Sequence, residues 1–406
     1  MKKIMLIGCG QIPQDDNSTI DGAGFRTWQL YNGLQSAGFD VDLIMYSYDG
    51  MKLHKDRCLI KDSNINFDET TTQEEIILKM NPDVVVYYYW PIIQLKNRSR
   101  INNVPICIDF AGPVLVEKNY QTNGIDPFLI MEKFKRLNYA DFYTCSGNRQ
   151  YYYFAALLLC AGIHDIIDKE ILKVVPLSID PKIPKIDYDA KSKEPITFIH
   201  SGYFHPWQNP FPGLEPVGYY ARNNKRCVLD IFGCPGNESK DETRRIKSKI
   251  GISEQIHYLG IKSYNEIMDA CKTGSIAIDV MEQNLERELG MNIRSLQHLW
   301  CGLPIIYNNY NELSQYIEKY KAGWCVDPKD KEGISNLIED IINHPEIIPE
   351  YSKNAHSLIT EQFNWEKTIK PLAEYCRHPF IREKKMNFKF KEIVNQYPKY
   401  IKELIY

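Results

Sequence analysis

Between Glu286 and Pro304 the chain reads ERELGMNIRSLQHLWCGLP, and Gly290, Met291, Asn292 and Arg294 in it have the types and spacing of an anion receptacle. A flexible glycine followed by a helix-capping asparagine turns a loop into a helix, and the unpaired amides of the first turn then face the loop. The positive end of the helix dipole, with Arg294 in that first turn, suits a diphosphate. Glu288 stands beside it. Apolar Ile293, Leu296 and Trp300 recur at helical steps and are expected to face a core, which puts Arg294, Gln297 and His298 on the other face. The helix should end at Gly302, and Pro304 opens an apolar run, Ile305 to Tyr307, that reads as a buried parallel strand. An ordinary amphipathic helix before a buried strand has the same punctuation.

A helix start of this kind needs a sheet behind it, and the chain supplies the pattern twice. KIMLIG, a loop, a helix closed by Gly38 and then DVDLIMY form a βαβ opening. QEEIILKM reads as a helix; DVVVYYYW, VPICID, ADFYTC and ILKVVP read as strands. DPKIPKIDYDAKSKEP, polar and rich in proline, is a linker. Beyond it ITFIH, CVLDIF, IHYLG, SIAIDVM and PIIY alternate with helical segments, so a second parallel sheet covered on both faces is expected. With 406 residues the chain exceeds what one hydrophobic core usually spans, which also predicts two domains.

Composition narrows the function. A net charge of −3 argues against nucleic acid as the main partner. Eleven cysteines show no repeated C-x-x-C and no Cys/His spacing for zinc, and read as reduced thiols of a cytoplasmic protein. Ile4 to Ile7 is too short for a signal peptide, and the longest apolar run, Tyr151 to Ile163, falls short of the roughly 20 residues of a membrane span. Gly8 and Gly10 do not make a dinucleotide fingerprint, because position 13 is proline and the loop is too long. Asp40-Val41-Asp42 and Asp187-Tyr188-Asp189 match D-x-D, but one begins a strand and the other lies in the linker, so no metal site is expected. Asp109 ends the VPICID strand at the carboxyl edge where ligands of open parallel sheets gather. Capping the next turn would account for it equally well. Glu117 is a weaker companion.

The order of acidic residue, glycine, helix and CGLPII resembles the C-terminal signature of nucleotide-sugar-dependent glycosyltransferases of the GT-B fold, in particular the large retaining family four. Many members carry a Glu, seven residues, a second Glu and a small-Gly-x-Pro-hydrophobic ending. Here Glu288 is one position off the first, and Gln297 stands where the second would be, a weaker, neutral acceptor for ribose hydroxyls. The resemblance implies an α/β protein of two Rossmann-like domains facing across a cleft: an acceptor-side domain over 1–180, a linker over 181–194, a nucleotide-sugar domain over 195–362, and a crossing helix with a basic aromatic tail over 363–406.

It also implies roles. Gly22, Ala23 and Gly24 would form the loop facing the cleft, with Arg26 just inside the helix, unless Arg26 is merely solvated. Arg149 and Gln150 would line the cleft, and Asp109 would reach the sugar. Many members place an Arg and a Lys on the diphosphate in the loop that reads SGYFHPWQNP here; His205, Trp207 and Gln208 occupy it instead, either at the phosphates or packing the loop. The backbone near Gly260 would read the base. The expected activity is metal-independent and without a cofactor, moving a sugar from a nucleotide diphosphate to a glycan or lipid-linked acceptor in polysaccharide or glycan synthesis; a retaining outcome is implied by the resemblance only. Arg294→Ala is expected to abolish it with little loss of fold. Residues 381–406, basic with interleaved aromatics, suit either contact with anionic lipid at the inner face of the cell membrane or a solvated helix. A sugar-nucleotide 2-epimerase and a catalytically silent GT-B binding partner are the alternatives.

Overall fold

The computed structural model describes residues 1–13, 19–62, 66–110, 112–166, 168–233 and 240–383, the side chains of 240–243 excepted. Runs of Val, Ile and Tyr without polar interruption can leave neither face in water, and they assemble into two parallel sheets with helices on both sides. The first contains β1 (Lys3–Cys9), β2 (Asp40–Tyr46), β3 (Val84–Tyr88), β4 (Ile106–Asp109), β5 (Phe142–Cys145) and β6 (Leu172–Val174), in the order β2-β1-β3-β4-β5-β6. The second contains β7 (Ile196–Ser201), β8 (Cys227–Phe232), β9 (Ile256–Gly260), β10 (Ile276–Asp279), β11 (Ile305–Asn308) and β12 (Gly323–Val326), in the order β12-β11-β10-β7-β8-β9. The fold is α/β, two Rossmann-like lobes in the GT-B arrangement. β12, a four-residue edge strand, is not among the strands read from the sequence.

Strand order reverses between β1 and β3 in the first sheet and between β7 and β10 in the second. At such points the loops diverge and leave a crevice at the carboxyl ends of the strands. The loops leaving those strands, with residues 19–21 and 89–93 on one side and 202–210 and 280–292 on the other, contribute to two adjoining cavities between the lobes.

The lobes share packing as well as a cleft. Phe25, on the Gly22–Ser36 helix, lies in one core with Leu296, Leu299 and Leu303 of the second lobe. After the second lobe the chain returns: Ile369, Leu372 and Tyr375, in and just before the Lys370–Arg377 helix, join the core of the first sheet, and Tyr375 stacks on Phe142 at 4.3 Å. Burying each such side chain contributes about 1.5–3 kcal/mol, so this return fastens the lobes together. Of the segment 381–406 only residues 381–383 are described; the expectation of lipid contact falls outside the described residues. Among those residues no helix is long and apolar enough to cross a membrane.

One helix turns a different face inward from the one expected. In Ile293–Trp300 the buried residues are Ser295, Leu296, His298 and Leu299, whereas Ile293 and Trp300 are half-buried. Polar Ser295 and His298 can go inside because partners wait there: Ser295 Oγ donates to Asp279 at 2.6 Å, and His298 Nε2 lies 2.8 Å from Ser201 Oγ. A hydrogen-bonded polar group loses most of its burial cost.

Candidate active site

Asn292 occupies the N-cap of the Ile293–Trp300 helix in extended conformation, yet its side chain makes no capping bond. Its Oδ1 accepts from Arg287 and its Nδ2 donates to Asp279 at 3.3 Å. The first-turn amides therefore carry no side-chain cap and are available to an external acceptor. They adjoin a cavity of about 340 Å³ lined by Met291, Asn292, Ile293, Arg294 and Gln297 from this segment, and by Gly22 and Phe25 from the first lobe.

Arg294 is built into the wall. Nη1 donates to the Ser201 carbonyl at 3.0 Å, Nη2 to Gln208 Oε1 at 2.8 Å, and Nε lies 3.7 Å from Asp279. Gly202 makes room for it: a Cβ at that position would fall 1.9 Å from Nη1. A guanidinium has five N–H groups, so the η nitrogens keep donors for a ligand. Asp279, fully buried at the end of β10, is the organising carboxylate. Burial pushes its carboxyl up, but Arg294, the two nearby histidines and Ser295 outweigh that and hold it below the usual range. Both histidines are pushed down by burial and by Arg294, His298 to about 3 and His200 to about 4, so they are neutral at neutral pH.

A second cavity of about 560 Å³ adjoins the first and shares Asp21, Gly22, Tyr203, His205, Met291 and Ile293 with it. Its remaining wall includes Glu117 and Gln150 from the first lobe and Glu286, Arg287 and Gly290 from the second. His205 stacks on Trp207 at 4.8 Å and borders both cavities. Burial, and then repulsion from Glu286, raise the Glu117 carboxyl to about 7.

Several expected site residues stand elsewhere. Asp109 is not open to the cleft: its carboxylate is fully buried and bound by Arg26 and by Thr144 Oγ1. Arg26 borders the larger cavity but is itself buried, its guanidinium spent on Asp109, Gln29 and the Val175 and Pro176 carbonyls. Glu288 lines neither cavity; Gln283 donates to it at 2.8 Å. The carboxylate of its short helix that reaches the cleft is Glu286, two residues earlier, in a two-pronged pair with Arg287. Gly24 lies against the Gln11 backbone, where a Cβ would come within 1.8 Å of the carbonyl oxygen. Arg149 donates to second-lobe carbonyls instead of lining a cavity. Gly260 has a positive φ of 68° and accepts from the Gly233 amide; the next residues, Ile261 and Lys262, line the smaller cavity.

Lys262, Asp279, Glu286 and Arg287 were not singled out from sequence. Asp279 had a usable signal, because it ends a strand at the carboxyl edge just as Asp109 does. Lys262, 3.2 Å from Glu266, lies in a polar helix start with nothing to mark it.

Residues 184–358 match the family described as glycosyl transferases group 1. A curated relative, an uncharacterized glycosyltransferase of Methanocaldococcus jannaschii, is 22% identical over 203 residues, covering 50% of this chain and 48% of that protein. The match thus spans about half the length of the relative. Among solved structures, sucrose-phosphate synthase from Thermosynechococcus elongatus is similar with a TM-score of 0.62 at 16% identity, covering 93% of this chain and 99% of that one. The Anabaena HepE structure in complex with UDP-glucose gives 0.63 at 11%, covering 93% and 100%. A glycosyltransferase from Rickettsia africae gives 0.59 at 13%, covering 93% and 98%. At these identities the likeness establishes the fold.

Proposed function

We propose that the protein is a glycosyltransferase that moves a sugar from a nucleoside diphosphate donor to an acceptor hydroxyl, with the donor in the smaller cavity and the acceptor entering through the larger one. The observation that carries this reading is the uncapped start of the Ile293–Trp300 helix, which borders the interlobe cavity beside Arg294. As the bond from the anomeric carbon to the phosphate breaks, charge builds on the departing diphosphate. Helix amides and Arg294 stabilise that charge more than they stabilise the intact donor, which lowers the barrier. Gln297 meets the ribose, and Ile261 and Lys262 flank the base. Glu286 and Arg287 hold the sugar hydroxyls and fix its orientation. The family match in the second lobe and the UDP-glucose bound by the Anabaena neighbour support a nucleotide sugar as donor.

The finer reading keeps a retaining outcome, no metal, no cofactor, and a glycan or lipid-linked acceptor in polysaccharide or glycan synthesis. Calorimetry with UDP, GDP, ADP and dTDP and their glucose conjugates tests the donor reading. Micromolar to millimolar binding of one series, unchanged by EDTA, is expected; binding of none would end it. A second reading, a silent binding partner, draws on one observation: Arg294 is already engaged by Asp279 and Gln208, and Gln297 is neutral. That partner would bind no nucleotide in the same experiment.

A further inference from the structure

The Asn148–Cys160 helix of the first lobe starts after Gly147, which offers no side-chain cap, so its first amides need partners from elsewhere. The second lobe supplies them. Glu312 Oε1 accepts from the Asn148 amide at 3.0 Å and from its Nδ2 at 2.7 Å, and Oε2 accepts from the Arg149 amide at 3.3 Å. A carboxylate in that place is held by charge-assisted bonds and by the helix dipole. In return the Arg149 guanidinium donates to the Tyr310 and Glu288 carbonyls. The neighbouring Asn311 is buried, and its Nδ2 donates to the carbonyls of Arg287 and Gly290, both at 2.7 Å. One short loop, 310–312, thus reaches across to the first lobe with Glu312 and holds the cavity-lining segment 286–290 with Asn311.

We propose that Glu312 is a positioning residue that couples the approach of the two lobes to the placement of Glu286 and Arg287 in the cavity. With the carboxylate seated on the helix start, Asn311 is fixed and the 286–290 backbone has a rigid anchor. With the lobes apart, that anchor loses two cross-lobe supports together, the seat of Glu312 on the helix start and the Arg149 bonds to the Tyr310 and Glu288 carbonyls. The coupling stands on contacts alone; only its effect on turnover rests on the donor reading.

Gly147 provides an independent handle. Its φ of −163° and ψ of 164° are extended backbone that any residue adopts, so alanine fits the chain there. A Cβ, however, would sit 2.7 Å from Glu312 Oε2. Gly147→Ala therefore displaces the carboxylate and leaves every residue of the second lobe intact, whereas Glu312→Gln removes its charge.

Hydrogen exchange of the full chain and both variants tests the coupling. Each variant should raise exchange in peptides over 147–151 and also over 286–291 by about fivefold or more, the loss of a helix cap of ~1 kcal/mol, with 73–80 unchanged. On whichever nucleotide sugar the unmodified protein turns over, kcat should fall by about tenfold through misplacement of the sugar-holding residues, while nucleoside diphosphate Kd stays within about twofold. Unchanged exchange over 286–291 in both variants overturns the coupling, and so does an equal loss of binding and turnover, which a merely structural contact would give. If the unmodified protein binds no nucleotide, the donor reading fails, and the exchange data still decide the coupling.

Discussion

Arg26 and Asp109 close on each other in a two-pronged ion pair, Nε to Oδ2 at 3.0 Å and Nη2 to Oδ1 at 2.7 Å. The side chains are 2% and 0% exposed. The remaining donors of Arg26 go to Gln29 and to the Val175 and Pro176 carbonyls, and Thr144 donates to the carboxylate. The pair ties the first-lobe helix that follows the cleft loop to the ends of β4, β5 and β6. It orders the floor of the cleft, with every guanidinium donor of Arg26 bound inside the protein.

Removing one partner from such a pair strands a buried charge, which costs about 3–5 kcal/mol. Asp109→Ala should lower the stability measured by urea denaturation by that amount, and Arg26→Met with Asp109→Leu should recover most of it. An Asp109→Ala protein that unfolds like the parent but has lost turnover would restore the substrate contact expected from sequence.

For Arg294 the structure changes the expected outcome of substitution. Arg294→Ala leaves Asp279, fully buried, without its cation, so the loss of fold is not small. The double variant Arg294→Ala with Asp279→Asn should regain much of the stability in a urea melt. Its turnover should stay down by roughly 100- to 1000-fold, the usual cost of a transition-state donor. Turnover returning together with stability would reduce Arg294 to scaffolding.

Strands such as β1 and β2 were legible because a strand covered on both faces is a continuous apolar run, and LIMY or KIMLIG can be little else. The helix start at Asn292 was legible from punctuation. What fails is anything set by a partner distant in sequence. Asp109 looked like a ligand because Arg26, 83 residues away, is invisible in the local pattern. His298 looked exposed because Ser201, its partner, is 97 residues off. Glu286 and Glu288 compete within a five-residue helix, too short for periodicity to say which one faces the cleft. Glu312 capping a helix 164 residues earlier leaves no local trace.

Three histidines make acid stability a readout of the buried network. His298 is held at about 3, His200 and His356 at about 4, chiefly by burial. Unfolded, each binds its proton near 6.5, so between about 6.5 and 4 the unfolded chain holds more protons and stability falls as pH falls. Glu117 acts in the opposite direction, because its folded value of about 7 lies above its unfolded one. The net of these four groups is a loss of roughly 2 kcal/mol per pH unit between pH 6 and 5, read from denaturant midpoints. A flat profile over that window would mean that the histidines are not buried neutral.

Glu117 and Glu286 bring two carboxylates to one cavity from opposite lobes. Burial first, and Glu286 second, raise Glu117 to about 7, while Arg287, Lys118 and Lys133 pull the other way. Folding therefore binds a proton at Glu117 between its unfolded value near 4.5 and about 7, and the stability this group contributes is present below that window and lost as pH rises through 7. Glu117→Gln carries the neutral form at every pH, so its stability relative to the parent should improve by on the order of 3 kcal/mol between pH 5 and pH 8. Glu286→Gln should bring about a smaller part of the same change, by removing the repulsion and not the burial. Parallel urea melts of the three proteins at the two pH values measure it. Identical pH dependence in parent and Glu117→Gln would show that the carboxyl is solvated and ionised, and that the lobes do not close over it.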